Sequence, residues 1–530
     1  MPQPVLLNGQ WVPAQAAGVF HAFDPATREK LADEYPVSSW ADCETALDAA
    51  QTAFQQLRGM PPERVASFME GYADAIDSAA ESLAAMAHTE TSLPVSPRLA
   101  DVELPRTTGQ LRKAAAAARE GSWSLPTIDT AANIRSRYEA IGPVCVFGPN
   151  NFPMAFGSIS GGDFAAAIAA GNPVIAKANS SHPGTTRLFA ELAQQAAEAA
   201  GLPAGTVQLL YRTSHEDGEK LVSDPRVGAT GYTGSRAAGL KLKAAADAAG
   251  RPIYLELSSI NPVVILPGAL RERGSELAAE FTTSCLMGTG QFCTNPGLVV
   301  LVDDDASRGF TAEVAEKFTA APVGTLLSAG VESSLQTSVA ALVAAGAEVL
   351  AGNEVLAGNK TGGGQGCSFG NTLLRVGGKL FLEKPLAFQR EAFGNESLLV
   401  VADSVAEVQE ILATLEGNLT GCIYSASDGS DDDAYLRIEP TLRQQVGRLL
   451  NDKMPTGVAV SPAMNHGGPY PATGHPGFTA VGIPASLRRF AMLPCYDNVR
   501  PHRLPAELKD ENPGSALWRL IDGRWTQDSI

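Results

Sequence analysis

Four side chains in this sequence have types that carry chemistry and share one position, the end of a short apolar segment. They are Asn151 in GPNNFP, Lys177 in PVIAKANSS, Glu256 in YLELSS and Cys293 in GTGQFCTNPG. A thiolate attacks the carbonyl carbon of an aldehyde, and N–H donors stabilise the oxyanion that forms. We therefore predict Cys293 as a nucleophile and the Asn151 amide, together with the backbone N–H of Cys293, as the oxyanion donor.

Glu256 supplies the remaining step of this chemistry. If hydride leaves the tetrahedral adduct for a nicotinamide, the product is a thioester, and its hydrolysis needs a base that activates water. A carboxylate has that property, so Glu256 is the predicted base. The scheme requires no metal, and no metal site is predicted.

Each of these residues also has an ordinary structural explanation when it is taken alone. A lone cysteine is usually a small core residue, and a lysine or glutamate at a strand end usually lies on the surface. An asparagine before Phe-Pro suits a turn or a helix cap. The combination of all four favours the catalytic interpretation.

A glycine pattern in GYTGSRAAGL indicates where a phosphate could bind. Gly234, Ser235 and Gly239 follow an apolar segment and open a helical one. Such a turn places the free N–H groups of a helix N-terminus against a phosphate. The same spacing also serves packing between a strand and a helix, and the sequence leaves both explanations open.

Strands that alternate with helices must position these residues. The apolar segments GPVCVFG, NPVIAKA, TVQLLY, RVGATGYT and PIYLEL alternate with alanine-rich helical segments. This alternation is typical of an α/β fold with a parallel sheet, in which ligands bind at the carboxyl ends of the strands. Residues 1 to about 120 are helix-rich, with helical spacing in Asp42–Arg58 and Arg64–Glu90. A second αβ region begins near Asn261, with the predicted strands PVVIL, GLVVLV, AEVL and ESLLVVA.

The length, net charge and cysteine content of the chain restrict the class of protein. A chain of 530 residues exceeds the size of one core, so two or three packed units are expected. The net charge of −17 argues against nucleic acid or an anionic membrane as a partner. No segment has the length of a membrane span or a secretion signal, and seven scattered cysteines without a CxxC pair fit reduced thiols. We expect a cytoplasmic protein that acts on a small molecule.

The motifs resemble the aldehyde dehydrogenase superfamily over nearly the whole chain, from LLNGQWVPA to beyond HGGPYPATG. The Asn-Phe-Pro of that family falls on Asn151–Pro153, and its Gly-Gln-x-Cys falls on Gly290–Cys293. The resemblance implies that Cys293 is the nucleophile, Asn151 the oxyanion donor and Glu256 the base. The Leu-Gly-Gly-Lys that follows the family's glutamate reads Leu-Ser-Ser-Ile here, a departure to which the sequence assigns no consequence.

The resemblance also implies a dinucleotide site. Lys177 is expected to bind the adenosine ribose, Glu391 in REAFGNES to hold the nicotinamide ribose, and Phe393 to pack near the nicotinamide. The Phe-Thr-Gly-Ser of the family reads Tyr-Thr-Gly-Ser, which assigns Thr233, Gly234 and Ser235 to the same site.

Position 180 favours NADP over NAD as the cofactor. NAD-using relatives commonly carry a glutamate three residues after the lysine, where this chain has Ser180. A carboxylate there would repel a 2′-phosphate, so its absence favours NADP, with His182 or Arg212 as the candidate cation. The alternatives are that both cofactors are used and that Ser180 caps the helix beginning near Pro183.

An aldehyde dehydrogenase fold implies three parts. We expect a Rossmann-like cofactor domain of residues 1–121 and 142–258, and an α/β catalytic domain of residues 259–465. Residues 122–141 and 466–530 are expected to form an oligomerisation arm and a C-terminal region. The expected assembly is a homodimer or a homotetramer.

The variant motifs look like the branch that contains α-ketoglutaric semialdehyde (2,5-dioxovalerate) dehydrogenases and NADP-dependent fatty aldehyde dehydrogenases. We predict oxidation of the keto-acid semialdehyde, for which Arg106 or Arg390 would bind the carboxylate, and a fatty or other aliphatic aldehyde is the alternative. Apolar walls are predicted from Phe152, Phe156, Ile159 and Phe292. A CoA-acylating dehydrogenase and an inactive binding or structural homologue are the remaining alternatives.

Overall fold

The computed structural model describes residues 1–352 and 366–530. Its first part consists of short strands and a group of helices. The helical spacing of Arg64–Glu90 forms two helices, since the backbone leaves helical geometry at Ala79. The elements are β1 (Val5–Leu7), β2 (Gln10–Val12), β3 (Ala16–Phe20), β4 (Tyr35–Ser38), α1 (Trp40–Leu57), α2 (Pro62–Ser78), α3 (Ala80–Thr91) and α4 (Leu104–Glu120), with a π-helical segment at Val95–Glu103.

Three short strands follow the helical part in the chain, and the region of alternating strands and helices comes after them. All five strands predicted between Gly142 and Leu257 are present. The elements are β5 (Thr127–Asp129), β6 (Ile134–Ser136), β7 (Glu139–Ala140), β8 (Val144–Phe147), α5 (Gly162–Ala169), β9 (Val174–Lys177), α6 (Pro183–Ala199), β10 (Val207–Leu210), β11 (Arg212–Thr213), α7 (His215–Ser223), β12 (Ala229–Thr233), α8 (Arg236–Ala248) and β13 (Ile253–Glu256).

The second alternating region contains the four predicted strands and three that the sequence analysis did not identify, β17, β19 and β20. The elements are β14 (Val263–Ile265), α9 (Pro267–Leu286), β15 (Leu298–Val302), α10 (Asp305–Ala320), α11 (Ala329–Ala345), β16 (Glu348–Ala351), β17 (Thr372–Gly377), α12 (Gly378–Glu383), α13 (Pro385–Phe388), β18 (Glu396–Ala402), α14 (Val405–Ala413), β19 (Asn418–Tyr424), α15 (Asp432–Gln445) and β20 (Val446–Asn451).

The last strands return to the short strands near residue 130. A five-stranded sheet has the order β22-β6-β5-β23-β24, and β21 pairs with β7. The C-terminal strands β22, β23 and β24 thus form one small sheet with β5 and β6, which precede the first alternating region in the sequence. These strands are β21 (Ala491–Met492), β22 (Cys495–Asp497), β23 (Arg519–Ile521) and β24 (Arg524–Thr526).

The first large sheet has the order β13-β12-β8-β9-β10-β1-β2, in which β8 to β10, β12 and β13 are parallel. The register pairs Phe147 with Lys177 and Thr233 with Glu256. Because parallel strands end at one edge of a sheet, Lys177, Thr233 and Glu256 lie along the same edge.

The second large sheet has the order β16-β17-β18-β15-β14-β19-β20 and is parallel except for β16. Its strands are buried on both faces, with Val264 and Val300 in one core and Val263 and Val299 in the other. Continuous burial explains their uninterrupted apolar runs, which are typical of parallel strands covered by helices. Among the residues that the structure describes, no helix is long and apolar enough to cross a membrane.

Asp431 joins three segments of the second region. Its carboxylate accepts hydrogen bonds from the backbone N–H groups of Gly268, Ala269 and Ala426, each at 2.9 Å. Two of these donors belong to the first turn of α9, where free N–H groups favour an anion. The carboxylate is buried, so it is the side chain that satisfies these donors.

Replacing Asp431 with Ala should lower the free energy of unfolding by about 2–3 kcal/mol, because buried N–H groups lose a charged acceptor. In a chain of 530 residues that change corresponds to about 2–3 °C in Tm, measured by thermal unfolding. The neighbouring Asp433 is exposed, and Asp433→Ala serves as the control. Equal Tm values for the two variants would contradict the assigned role.

Candidate active site

The loop that carries Cys293 follows a turn of left-handed residues after α9. Gly288, Thr289 and Gly290 have φ values of 56°, 59° and 68°. A Cβ atom on Gly290 would lie 2.0 Å from the carbonyl oxygen of Gly394, which no real side chain tolerates. Gly290 therefore allows the cysteine loop to lie directly against the segment that contains Glu391 and Phe393.

A polar network fixes the backbone of this loop to the ends of two strands. Asn261 Nδ2 donates to the carbonyl of Cys293 at 2.9 Å and to that of Asn295 at 2.8 Å. Asn418 Oδ1 accepts the N–H groups of Ile260 and Asn261 at 2.9 and 3.2 Å. The position of the thiol is thus set by hydrogen bonds between buried groups rather than by apolar packing alone.

The Ser-Ser-Ile departure after Glu256 has a place in this network. The Ser259 hydroxyl lies 2.9 Å from Asn261 Oδ1 and 3.0 Å from Asn418 Oδ1, and it accepts the N–H of Leu419. The backbone N–H of Ser259 donates to Glu391 Oε1 at 3.2 Å. The departure thus gives the chain a side chain that joins the Glu256 segment to the cysteine loop.

Cys293, His466 and Glu256 form a compact group. His466 Nε2 lies 2.8 Å from Glu256 Oε1 and 3.5 Å from the Cys293 Sγ. The side chains of His466 and Glu256 are 1 % and 2 % exposed, whereas Cys293 is half-buried. An imidazole N–H at Nε2 therefore faces both the carboxylate and the thiol, and the carboxylate is the member of this group that can accept the thiol proton.

Burial raises the pKa of the Cys293 thiol well above its ordinary value, and the charge of Glu256 raises it further. The nearby Arg106 guanidinium acts in the opposite direction and lowers the pKa of this thiol. A thiol in this environment is mostly protonated at neutral pH, so a proton acceptor is needed before it can attack a carbonyl.

The sequence analysis did not identify His466. The segment Pro471–Gly474 runs along the open side of β13, where Leu257 N–H donates to Ala472 O and Gly474 N–H donates to Leu255 O, and so brings the chain back to Glu256. The backbone N–H of His466 donates to the Thr479 hydroxyl, and its carbonyl accepts the N–H of Ala480. The only sequence signal is a histidine inside the Gly- and Pro-rich stretch MNHGGPYPATG, which does not follow an apolar strand.

Asn151 contacts the cysteine loop and lines the same cavity as Cys293. Its Nδ2 donates to the carbonyl of Gln291 at 3.0 Å, and the residue is buried. One amide N–H remains for another acceptor. The backbone N–H of Cys293 has no hydrogen-bond partner among residues 1–352 and 366–530, so two N–H donors are available near the thiol.

A buried ion pair fixes the turn that carries Asn151. Arg98 Nη1 lies 2.8 Å from Glu103 Oε2, and Arg98 Nη2 donates to the carbonyl of Asn151 at 2.9 Å. The other oxygen of Glu103 accepts the N–H groups of Met154 and Ala155. Both Glu103 oxygens and both Arg98 Nη atoms are thus used to hold this turn.

A cavity of about 850 Å³ extends from Cys293 along the edge of the first sheet. It is lined by nearly every residue that the sequence analysis assigned to a dinucleotide-binding site. Those residues are Lys177, Ser180, Thr233, Gly234, Ser235, Glu391 and Phe393, with Asn151, Glu256 and Cys293 at one end.

Gly239 is the exception, because it does not line this cavity. A Cβ atom there would lie 2.5 Å from Leu257 Cδ2 and 2.9 Å from Tyr232 Cε1. The structure thus agrees with the packing explanation for this glycine: it lets α8 approach β12. The Tyr232 hydroxyl, which replaces the hydrogen of a phenylalanine ring, donates to Ser235 O at 3.1 Å.

The donor groups of the cavity fit a dinucleotide. The N-terminus of the 13-residue helix α8 opens at Ser235 without a side-chain cap, so its free N–H groups suit a phosphate. Burial, with a smaller effect of Arg212, lowers the pKa of Lys177 to about 8. Glu391 offers a carboxylate to sugar hydroxyls, and burial raises its pKa against the hydrogen bonds from Ser258 and Ser259.

His182 is not a phosphate-binding cation. It is buried, its Nε2 lies 2.9 Å from the carbonyl of Pro149, and burial lowers its pKa. It also precedes the first residue of α6, so Ser180 does not occupy the N-cap position. Arg212, in contrast, is exposed and lines the cavity.

Ile159 is not a wall of the site either. It belongs to the core of the first region, whereas Phe152, Phe156 and Phe292 form a separate apolar cluster with Phe478. Phe156 lies beside the group of Cys293, His466 and Glu256, with its ring centroid 5.7 Å from that of His466. An apolar surface therefore continues from the thiol away from the dinucleotide cavity.

The three central side chains also have the types that ligate metals. Ligand atoms of Glu256, Cys293 and His466 all lie within 4.8 Å of one another. Thiolate, imidazole and carboxylate are the ligands that zinc takes in proteins. The arrangement is equally that of a nucleophile with a proton acceptor.

Comparison with known sequences identifies the class of protein. The sequence model of the aldehyde dehydrogenase family matches residues 11–450. The chain is similar to alpha-ketoglutaric semialdehyde dehydrogenase 2 of Azospirillum brasilense, with 40 % identity over 98 % of both chains. It is also 34 % identical to the alpha-ketoglutaric semialdehyde dehydrogenase of Acinetobacter baylyi, again over 98 % of both.

The chain therefore belongs to the aldehyde dehydrogenase family, and it is an oxidoreductase that acts on aldehydes. This confirms the resemblance seen in the sequence.

Solved structures support the fold. An aldehyde dehydrogenase C mutant of Pseudomonas syringae, in complex with NAD+ and octanal, superposes with a TM-score of 0.79 over 95 % of this chain and 98 % of its own, at 20 % identity. PnpE in complex with nicotinamide adenine dinucleotide gives a TM-score of 0.80 at the same identity, over 95 % of this chain and all of its own. The predicted α/β aldehyde dehydrogenase fold is confirmed.

The raised pKa of Cys293 predicts slow alkylation by iodoacetamide at neutral pH and a rate that keeps rising above about pH 8.5, since only the thiolate reacts. Replacing His466 with Gln removes the imidazole beside Sγ, and we expect alkylation at pH 7 to be about tenfold slower. The rate is measured by mass spectrometry in a Cys495→Ser background, because Cys495 is exposed.

His475→Gln is the matched control for this experiment, since His475 lies in the same loop but is exposed. An alkylation profile that is identical in wild type and His466→Gln would show that the imidazole does not act on the thiol.

Proposed function

We propose that this protein oxidises α-ketoglutaric semialdehyde to α-ketoglutarate, with NAD(P)+ and water as co-substrates and NAD(P)H as the other product. The observation that carries the proposal is the group of Cys293, His466 and Glu256 at the end of a dinucleotide-sized cavity. The choice of substrate is supported by the two nearly full-length relatives described above.

Cys293 is the proposed nucleophile. The Glu256 carboxylate, which forms one compact group with Sγ and His466 Nε2, takes the thiol proton as the sulfur adds to the aldehyde carbon, and the His466 N–H holds that carboxylate in place. Release of this proton to solvent returns Glu256 to the charged form that hydrolysis needs. The thiohemiacetal oxygen is stabilised by the free N–H of Asn151 and the backbone N–H of Cys293. Both donors are fixed before substrate arrives, so their alignment costs little at the moment of reaction.

A nicotinamide dinucleotide, when bound, accepts the hydride. Lys177 would bind its adenosine ribose, and the N-terminus of α8 with Thr233, Gly234 and Ser235 would hold its phosphates. Glu391 and Phe393 would position the nicotinamide end, since both line the cavity next to the cysteine loop.

Glu256 is the proposed base for hydrolysis of the thioester on Cys293. Its Oε1 is used by His466, whereas its Oε2 is buried and has no hydrogen-bond partner within the described part of the chain. A buried carboxylate oxygen without a partner is costly, and a water molecule would satisfy it. This oxygen is therefore where the attacking water would be activated.

We further propose NADP as the preferred cofactor. The cavity wall at its far end carries Ser180 and no carboxylate in the position of the relatives' glutamate. Arg212 lies there without a salt bridge or hydrogen bond among the residues described, so it is free to receive a 2′-phosphate. Glu219 also lines this cavity, and its carboxylate opposes this preference.

Arg212→Gln should raise KM for NADP+ by about tenfold and leave KM for NAD+ within about twofold, because only the former carries the phosphate. Lys243→Gln, on the outer side of α8, is the control. Equal changes with both cofactors would contradict the assignment of Arg212.

A fatty or other aliphatic aldehyde is the second candidate substrate, favoured by the apolar cluster of Phe152, Phe156, Phe292 and Phe478. Initial rates with α-ketoglutaric semialdehyde and with a long-chain aldehyde, each with NADP+ and NAD+, distinguish the two. A higher kcat/KM for the long aldehyde would overturn the proposed substrate. Acid formation without CoA would exclude a CoA-acylating enzyme.

We also propose the division of the chain predicted from its sequence: a cofactor domain of residues 1–121 and 142–258, a catalytic domain of residues 259–465, and an arm with a C-terminal region of residues 122–141 and 466–530. The C-terminal region has exposed apolar side chains at Met492, Leu493 and Trp525, which favours a homodimer or homotetramer. Light scattering of the purified protein measures the assembly. The cytoplasmic location stays a prediction.

A further inference from the structure

One buried arginine beside the active site has few hydrogen-bond partners for its guanidinium group. Arg106 lies in the first turn of α4, and its Nη1 donates to the carbonyl of Val458. Its Nε and Nη2 are buried and have no hydrogen-bond partner among the residues that the structure describes. The side chain also forms no salt bridge there, in contrast to Arg98, which pairs with Glu103.

The two unpaired nitrogens form one edge of the guanidinium. Nε and Nη2 carry N–H groups that point in the same direction, and this edge matches the two oxygens of a carboxylate. Because both groups are withdrawn from water, leaving them unpaired is costly, and an incoming anion would remove that cost. The edge is therefore built for a carboxylate that the chain itself does not provide.

Arg106 lies at the end of the apolar wall that starts at the catalytic group. Its guanidinium carbon is 5.0 Å from the centroid of the Phe156 ring, which in turn is 5.7 Å from the centroid of the His466 ring. The Phe156 ring thus connects Arg106 to the group that contains Cys293, and the charges of Arg106 and Cys293 act on each other.

The electrostatic effects of Arg106 agree with this placement. Its charge reaches the thiol, where it lowers the pKa of Cys293, and burial lowers the pKa of Arg106 itself. The charged groups that act on Arg106 are Cys293, Glu103, Arg98 and Glu256. Glu103 is already used by Arg98 and two backbone N–H groups, so it does not compete for the free edge.

We infer that Arg106 binds the carboxylate of an α-keto acid semialdehyde through its Nε and Nη2, and so determines the substrate specificity of this enzyme. The inference rests on the proposed function and deepens it. It also decides between the two arginines considered from the sequence, because Arg390 is exposed and lines a different cavity with Gln389 and Glu416.

The test compares two substrates of equal length, α-ketoglutaric semialdehyde and the uncharged pentanal. Arg106→Gln should lower kcat/KM for the semialdehyde about 100-fold more than kcat/KM for pentanal, mainly through KM, because the effect of the lost charge on the thiol is common to both substrates. Arg106→Lys retains the charge but not the two-pronged edge, so its loss on the semialdehyde should be intermediate.

Two variants serve as controls. Arg112→Gln lies in the same helix but its side chain faces solvent and pairs with Asp74 and Asp77, so both substrates should react as with wild type. Arg390→Gln tests the rejected alternative and should also leave the ratio of the two kcat/KM values unchanged. An equal loss on both substrates in Arg106→Gln would assign Arg106 to holding the Val458 loop and would overturn the inference.

Inhibition by product separates this inference from the proposed function. α-Ketoglutarate should inhibit pentanal oxidation by wild type, and its inhibition constant should rise by about tenfold or more in Arg106→Gln. If wild type fails to oxidise the semialdehyde but shows this Arg106-dependent inhibition, the proposed substrate is wrong and the carboxylate site stands. An inhibition constant that does not depend on Arg106 would remove the carboxylate site.

Discussion

The contact between His466 and Glu256 is the interaction on which the rest of the site depends. Their atoms approach to 2.8 Å with both side chains almost fully buried, and neither group would be stable at that depth without the other. Keeping the pair requires the Pro471–Gly474 segment to lie along the open side of β13. Glu256 is then held beside the thiol by a histidine that reaches it only because the C-terminal part of the chain returns to the edge of the first sheet.

The position of this pair in the fold explains the polar network around it. Glu256 ends the last strand of the first sheet, and Val263 begins a strand of the second, so the site occupies the short link between two sheets. A buried link has backbone groups that no sheet satisfies. Ser259, Asn261 and Asn418 supply the missing partners, and by doing so they fix the carbonyl of Cys293.

The sequence predicts those parts of the site that follow from strand periodicity. Lys177 and Glu256 were placed correctly at strand ends because a parallel sheet brings such ends to one edge. The surroundings of His466 and of the free edge of Arg106 are formed instead by segments that are distant in the sequence. No local pattern encodes which partner a buried histidine or arginine meets. The strands β17, β19 and β20 were missed for a related reason, since their burial is set by their neighbours in the sheet.

The whole molecule is negatively charged, whereas the side chains proposed to bind its anionic ligands are positively charged. A net charge of −17 repels an anionic substrate and an anionic cofactor, but beyond about 8 Å this repulsion is screened at physiological ionic strength. Recognition therefore depends on cations within contact distance of each ligand. Lys177 and Arg212 lie at the far end of the dinucleotide cavity, and Arg106 lies beyond the thiol on the other side. In the proposed arrangement the reacting carbon lies between two separate anion sites, so a molecule that satisfies only one of them lacks the contacts of the other.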